Sequence, residues 1–167
     1  MMGNDTKNIV DDSEQVARIV SKEWMIEGVL MPQAFEFAPR ETYLSVNRPC
    51  VDTYKEDVSQ FVMRHPQYLS EDGVSCSCAM LSVADVRATK VIYEDEVLLI
   101  GVEVEPRSAH TPSHAGIFVR SNGRNVVAGR QMPGQRVPEG VSAEIVLQYV
   151  QWELYALAHL QKCPLKP

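Results

Sequence analysis

The segment with the clearest chemical character is residues 106–138, which contains no Asp and no Glu. Its charged side chains are all arginines: Arg107, Arg120, Arg124, Arg130 and Arg136. The chain as a whole has the opposite balance, with 16 Lys and Arg against 22 Asp and Glu. Because a guanidinium presents a planar pair of donors that matches a carboxylate or phosphate, this composition favours anion binding. The alternative is that these arginines pair with acidic residues elsewhere in the fold or in a second subunit.

The same segment contains two histidines, His110 and His114. Histidine is the natural acid/base at neutral pH, and a loop that leads into a strand is a common place for a functional side chain. His114 directly precedes an apolar run and is the candidate catalytic residue. The alternative is a loop histidine that bonds the backbone, and no nucleophile motif such as Gly-x-Ser-x-Gly accompanies it.

Glu153 is a second candidate catalytic residue. On a predicted C-terminal helix, helical spacing places it in the middle of the apolar face, between Val150 and Leu157. A carboxylate on the buried side of a helix must be paired, protonated or functional. It could therefore orient His114, or form a structural ion pair with an arginine of residues 106–138.

Alternating polar residues on a predicted strand give a further set of candidate ligand contacts. Residues 42–47 alternate, with Leu44 and Val46 on one side. Tyr43, Ser45 and Asn47 lie on the other side, and they would supply hydrogen bonds if that face lines a cleft.

A zinc site can be drawn from Cys76, Cys78, His110 and His114. The C-x-C spacing differs from the usual C-x₂₋₄-C of structural zinc, and the histidines are not expected to be helical. Buried thiols are the alternative. The sequence therefore predicts no metal and no cofactor.

The elements that would position these residues follow from periodicity and turn signals. The predicted helices are residues 12–25, a helix that follows a Thr-Tyr-Lys-Glu capping box at 53–56 and stops at Pro66, and residues 142–162. The predicted strands are residues 42–47, part of 75–89, 97–105, and a hairpin about Asn122-Gly123. The fold class is α+β: one domain over residues 1–167, with 1–11 disordered. An antiparallel meander of five or six strands packs against three helices, and the C-terminal helix is the longest.

The composition indicates the cellular compartment in which the protein is expected. No apolar run reaches the roughly 20 residues of a membrane span, and no secretory signal is visible. We therefore expect a soluble cytoplasmic protein with reduced cysteines and no membrane partner. The net charge of −6 argues against binding nucleic acid over the whole surface.

Two short segments carry a resemblance. Residues 35–48 (FEFAPRETYLSVNR) and 112–117 (PSHAGI) resemble segments of a group of small uncharacterised bacterial proteins. The resemblance implies no activity, and it favours His114 and the Leu-Ser-Val-Asn strand as parts of a site.

Two functions remain open. The first is a binding protein whose arginine-rich hairpin and loop (107–136) engage an anionic ligand or an acidic protein surface, a second copy of the chain included. The alternative is a phosphodiesterase or ribonuclease-like hydrolase, with nucleic acid as a possible substrate. His114 would then be the acid/base, Arg120 and Arg124 the phosphate clamps, and Glu153 the orienting group.

Overall fold

The computed structural model describes residues 9–39, 41–93, 96–104, 111–127 and 143–167. The strands of this part of the chain are β1 (Gln15–Val20), β2 (Met25–Ile26), β3 (Val29–Leu30), β4 (Leu44–Asn47), β5 (Ser75–Ser82), β6 (Val91–Tyr93), β7 (Glu96–Val104), β8 (His114–Ser121), β9 (Arg124–Asn125) and β10 (His159–Pro164). The α-helices are α1 (Tyr54–Arg64), α2 (Val83–Ala88) and α3 (Ala143–Leu157). Short 3₁₀ helices cover Lys22–Trp24, Pro32–Phe35 and Pro66–Tyr68.

One antiparallel sheet organises the fold. Within the described residues it has eight strands in the order β10-β5-β1-β4-β8-β7-β6, with β9 paired to β8, while β2 and β3 form a separate hairpin. The predicted α+β class is confirmed, but the predicted five or six strands are too few. Only β6 to β9 form a meander, because the central strand β1 pairs with β5 and β4 and with no strand adjacent in sequence.

Both faces of the sheet are covered near its centre. Val16 and Val20 of β1 belong to the large apolar core that also contains Val150 of α3. Ala17 and Ile19 point to the opposite face, where they belong to a second apolar cluster with Val58 and Val62 of α1. The helix α1 therefore packs on one face and α3 on the other.

The predicted helix over residues 12–25 is wrong. Residues 15–20 form β1, and a 3₁₀ turn follows at Lys22–Trp24. A strand that is buried on both faces has no polar/apolar alternation, so its apolar run resembles one face of a helix. All six residues of β1 pair with β5, and three of them are β-branched.

The predicted helix over residues 142–162 is too long. It ends at Leu157, and His159–Pro164 form the edge strand β10, which pairs with β5 from His159↔Met80 to Pro164↔Ser75. The predicted cap at Ser142 lies outside the described residues. Residues 159–164 form a strand because they pair with β5, which is distant in sequence. The local periodicity of the sequence does not indicate this pairing.

The helix α1 and its end before Pro66 are confirmed, but the capping box is not formed. The Thr53 hydroxyl donates to Asp57 at 2.9 Å instead of accepting from the helix backbone. Glu56 accepts from Gln60 and pairs with Lys166. The helix is therefore held by Asp57 and by the C-terminal segment, and not by a local box.

The remaining local predictions are confirmed. Asn122 and Gly123 have φ values of 51° and 77°, as a two-residue hairpin with positive φ at both positions requires. The strands predicted at 42–47 and 97–105 correspond to β4 and β7, and residues 75–89 divide into β5 and α2.

The expected disorder at residues 1–11 falls largely outside the described residues. Ile9 forms a β-bridge with Glu103, and the Val10 N–H donates to the Val102 carbonyl at 3.1 Å, so the fold already includes these residues. Among the described helices, none has the length and apolar content needed to cross a bilayer.

Candidate functional site

A cleft of about 320 Å³ opens on the face of the sheet that α1 covers. Polar, charged and aromatic side chains form most of its wall. They are Arg18, Ser45, Asn47, Asp57, Gln60, Phe61, Arg64, His65, Tyr68, Thr111 and His114, with Ile19 beside them.

The paired strands β4 and β8 place three candidate residues from the sequence analysis, Ser45, Asn47 and His114, in this wall. Asn47 is the direct partner of His114, and Ser45 is the direct partner of Gly116, so all three polar side chains share one face. His114 Nε2 lies 3.2 Å from Ser45 Oγ. The His114 ring also packs edge-on against Tyr43, with 5.9 Å between ring centroids.

A buried carboxylate fixes the loop that precedes β8. Asp57 of α1 is 6% exposed and accepts from the Ser113 backbone N–H at 3.0 Å and from the Thr53 hydroxyl at 2.9 Å. Asn47 Nδ2 donates to Ser113 Oγ at 3.0 Å. The residue before His114 is thereby hydrogen-bonded to both α1 and β4 at the start of β8.

Arg18 is the central cation of the cleft. The strands β1 and β4 pair only at Ala17↔Asn47, and the Arg18 guanidinium lies where they diverge. Its Nε donates to the Ala34 carbonyl and its Nη1 to the Ser45 carbonyl, both at 2.9 Å. It also stacks on Trp24, at 5.2 Å from the ring centroid. Burial lowers the pKa of Arg18 from its ordinary value, although an arginine remains charged in any case.

An aromatic cluster forms the outer wall. Phe61 lies 4.7 Å from His65 and 4.9 Å from Tyr68 between ring centroids, and Tyr68 packs edge-on against Trp24 at 5.8 Å. The cluster joins the end of α1 to the 3₁₀ turn that follows it, so Arg64 and His65 are held at the rim of the cleft.

The charge of the cleft is positive on balance. Arg18 and Arg64 are cations, His65 and His114 can become cations, and Asp57 is the carboxylate in the wall. Among the described residues, no carboxylate forms an ion pair with Arg18 or Arg64. Glu41 acts on Arg18 only through space. An anion of matching size would therefore find two guanidinium groups that form no ion pair with a carboxylate of the described residues.

The arginines of the hairpin lie elsewhere. Arg120 is six positions along β8 from His114, about 20 Å at the rise of a strand. It pairs with Glu103, donates to Asn125 Oδ1 at 3.1 Å, and stacks on Phe118. Arg124 is exposed at the hairpin. Arg107, His110, Arg130 and Arg136 lie outside the described residues.

Glu153 does not face the core, so that prediction is wrong. It is exposed, while the buried face of α3 consists of Val146, Leu147, Val150 and Leu154. The helix is rotated relative to the predicted face, because its apolar content is too evenly spread for helical spacing to define one side. Glu153 does not line the cleft that contains His114.

Sequence reasoning missed Arg18, Asp57, Arg64 and His65. Arg18 was assigned to a helix, where a basic residue within an apolar stretch is expected to point to solvent. A single charge inside the strand-like run Val-Ala-Arg-Ile-Val is the signal that could have identified it. The zinc set drawn from two cysteines and two histidines does not assemble, because His114 faces the cleft and the cysteines do not line it.

No protein-family model matches this chain, and no curated protein or solved structure matches it either.

Proposed function

We propose that this protein binds a small anionic ligand in the cleft, with Arg18 and Arg64 as the charged contacts. The observation that carries the proposal is the placement of Arg18: its half-buried guanidinium donates to two backbone carbonyls, yet no described carboxylate forms an ion pair with it. The function is that of the predicted anion-binding protein, and the site is the cleft instead of the hairpin.

The cost of burying an unpaired charge supports this interpretation. A cation that is withdrawn from water loses hydration, and it is normally compensated by an opposite charge or by a ligand. The Ala34 and Ser45 carbonyls satisfy two donors of Arg18 but supply no full negative charge. A phosphate or carboxylate in the cleft would complete the compensation through charge-assisted hydrogen bonds.

The size and walls of the cleft favour a ligand with both an anionic and a planar part. A volume of about 320 Å³ is at the lower end of small-molecule sites, which run from roughly 300 to 1,000 Å³. Phe61 and Tyr68 offer aromatic surface beside the two arginines. A nucleoside monophosphate combines these features, since its base can stack while its phosphate meets Arg18.

The hairpin is the weaker site among the described residues. Arg120 already has the Glu103 carboxylate as its partner, together with Asn125, so binding an anion there would require breaking an existing ion pair. Arg18 requires no such exchange.

Trp24 provides a direct reporter of binding because it stacks on Arg18. The chain has two tryptophans, so a Trp152→Phe background leaves Trp24 as the sole indole. We expect its fluorescence to change on titration with a nucleoside monophosphate, with a weaker response to inorganic phosphate and to the uncharged nucleoside. The affinity should fall as salt increases.

Three variants in the Trp152→Phe background locate the site. Arg18→Met and Arg64→Gln should weaken binding, while Arg124→Gln should leave it unchanged. If Arg124→Gln weakens binding and the two cleft variants do not, the anion binds at the hairpin. The absence of any saturable response to nucleotides and phosphate would remove the proposal altogether.

A second candidate function is hydrolysis of a phosphodiester. The contact of 3.2 Å between His114 Nε2 and Ser45 Oγ is the observation that favours it, because this geometry allows a proton to pass between the two groups. The clamps would then be Arg18 and Arg64 instead of Arg120 and Arg124. Release of nitrophenol from a nitrophenyl phosphodiester, lost in His114→Gln, is the test; equal rates in the two proteins would exclude this candidate.

A cytoplasmic location fits this proposal. The four cysteines are free thiols, as is usual in a reducing compartment. Fractionation of cells that express the full chain would test the location.

A further inference from the structure

A second cluster of reactive groups lies apart from the cleft, between β5, β10 and α1. Cys76 and Cys78 point to the same face of β5, and Cys163 of β10 is the direct cross-strand partner of Cys76. All three thiols are buried, and their sulfur atoms lie within 4.8 Å of one another. The Cys76 and Cys78 sulfurs are 3.9 Å apart, so they are not joined by a disulfide.

These separations are those of ligands around one metal ion. A metal–sulfur bond of about 2.3 Å places three sulfurs about 4.0 Å apart when they surround the ion in a plane. The Cys76 and Cys78 sulfurs are 3.9 Å apart, which matches this value. Because no two of the three sulfurs are more than 4.8 Å apart, small side-chain movements would bring all of them to the metal–sulfur distance. The sheet register supplies the arrangement, so no large backbone movement is needed.

We propose that Cys76, Cys78 and Cys163 bind one Cu(I) ion in a three-coordinate site. Thiolates are soft ligands, and soft ions prefer them. Zinc in structural sites requires four ligands, whereas the potential ligand cluster among the described residues consists of these three cysteines. A closed-shell monovalent ion that is satisfied by three sulfurs is therefore the better match. Binding releases the protons of the coordinating thiols to solvent.

Tyr54 is the outer partner of the site. Its hydroxyl lies 3.6 Å from the Cys163 sulfur and 3.9 Å from the Cys78 sulfur. A phenol hydroxyl at these distances can donate a hydrogen bond to a thiolate. Donors of this kind orient metal ligands without binding the ion themselves.

The site has an access path and compensating charge. A cavity of about 210 Å³ reaches Cys163 from the surface, and Tyr54 and Met80 form part of its wall. Met80 follows Cys78 on the same face of β5, so a soft thioether lines the approach. Lys55 lies at the same cavity, where its charge offsets part of the excess negative charge of a thiolate–Cu(I) centre, while Lys162 beside it is already paired with Asp72.

The test uses the full chain under anaerobic conditions, with Cu(I) supplied from a coloured Cu(I) chelator. We expect one equivalent of Cu(I) to move to the protein and a sulfur-to-copper charge-transfer band to appear. Cys50→Ser is the matched control, because Cys50 is exposed and lies outside the cluster. It should bind like the wild type, whereas Cys163→Ala should not bind one equivalent, and Tyr54→Phe should bind about 10-fold more weakly.

A second measurement does not require a buried variant to fold. In the Cys50→Ser protein every remaining thiol belongs to the cluster, so mass spectrometry counts alkylation by iodoacetamide at the site alone. Bound Cu(I) should protect all three thiols. Transfer of Zn²⁺ but no Cu(I), or Cu(I) binding that is lost in Cys50→Ser, would each overturn the proposal. Alkylation that is unchanged by Cu(I), under conditions in which all three thiols of the metal-free protein react, would also overturn it.

Discussion

Replacement of Arg18 by Met separates a ligand-binding role of this residue from a structural one. Met keeps much of the aliphatic stem that packs in the cleft and removes the guanidinium. If the guanidinium meets the anion, its loss removes one or more hydrogen bonds to a charged group, each worth about 1.5–3 kcal/mol. The dissociation constant should then increase roughly 10- to 150-fold.

The effect on stability is expected to be small. The variant loses hydrogen bonds to the Ala34 and Ser45 carbonyls, each worth about 1.5–3 kcal/mol because the donor is charged. The variant also removes a cation that is held partly out of water with no ion-pair partner among the described residues, and this removal is favourable. Water can in addition reach carbonyls that border the cleft. We expect these effects to offset each other, so the free energy of unfolding should change by less than about 1 kcal/mol.

Two measurements on the same protein decide the matter. Urea unfolding followed by circular dichroism gives the stability, and Trp24 fluorescence gives the affinity for a nucleoside monophosphate. A purely structural Arg18, present only to cap the two carbonyls, gives the opposite pattern: a loss of about 3–6 kcal/mol of stability with unchanged anion affinity. That pattern would refute the reasoning.

Two other predictions concern the supports of the site. Gly116→Ala should lower the free energy of unfolding in urea by about 1–3 kcal/mol, because an added Cβ would lie 2.7 Å from the Tyr43 ring. It should also shift the imidazole NMR signals of His114, which packs on Tyr43. Unchanged stability and spectra would show that Tyr43 moves aside freely. Hydrogen bonds from Arg48 hold the pKa of Glu14 below its usual 4.5, so this pair stabilises the fold above about pH 4.5 and ceases to do so as pH falls through the lowered value. Glu14→Gln should therefore be less stable than the wild type near neutral pH and nearly equal to it in acid, and a stability difference that does not depend on pH would contradict this.

The elements that sequence predicted correctly are those with local causes. Asn122-Gly123 defines its hairpin because both positions require positive φ, and residues 97–105 carry a strong strand pattern. The errors have non-local causes. Residues 15–20 form a strand because β5 and β4 flank them, and residues 159–164 do so because the edge of β5 is available.

The residues of the candidate site were likewise found where their signal is local and missed where it is not. Ser45, Asn47 and His114 were identified because strand alternation and residue type mark them, and the register of β4 with β8 brings them together. Arg18 was missed because its segment was assigned to a helix. Cys163 was missed because it lies just past the predicted helix over residues 142–162, and only its pairing with Cys76 reveals the thiol cluster.

The most direct test of anion binding in the cleft is an imidazole NMR titration of the wild-type protein. His65 and His114 line the cleft, whereas His159 is exposed on β10 and serves as an internal control. A bound phosphate would place negative charge and hydrogen-bond acceptors beside these imidazoles and would therefore change their chemical shifts. We expect a nucleoside monophosphate to shift the signals of His65 and His114 saturably and to leave His159 in place. Signals of His65 and His114 that stay fixed at millimolar ligand, or that move only as much as those of His159, would contradict the proposed function.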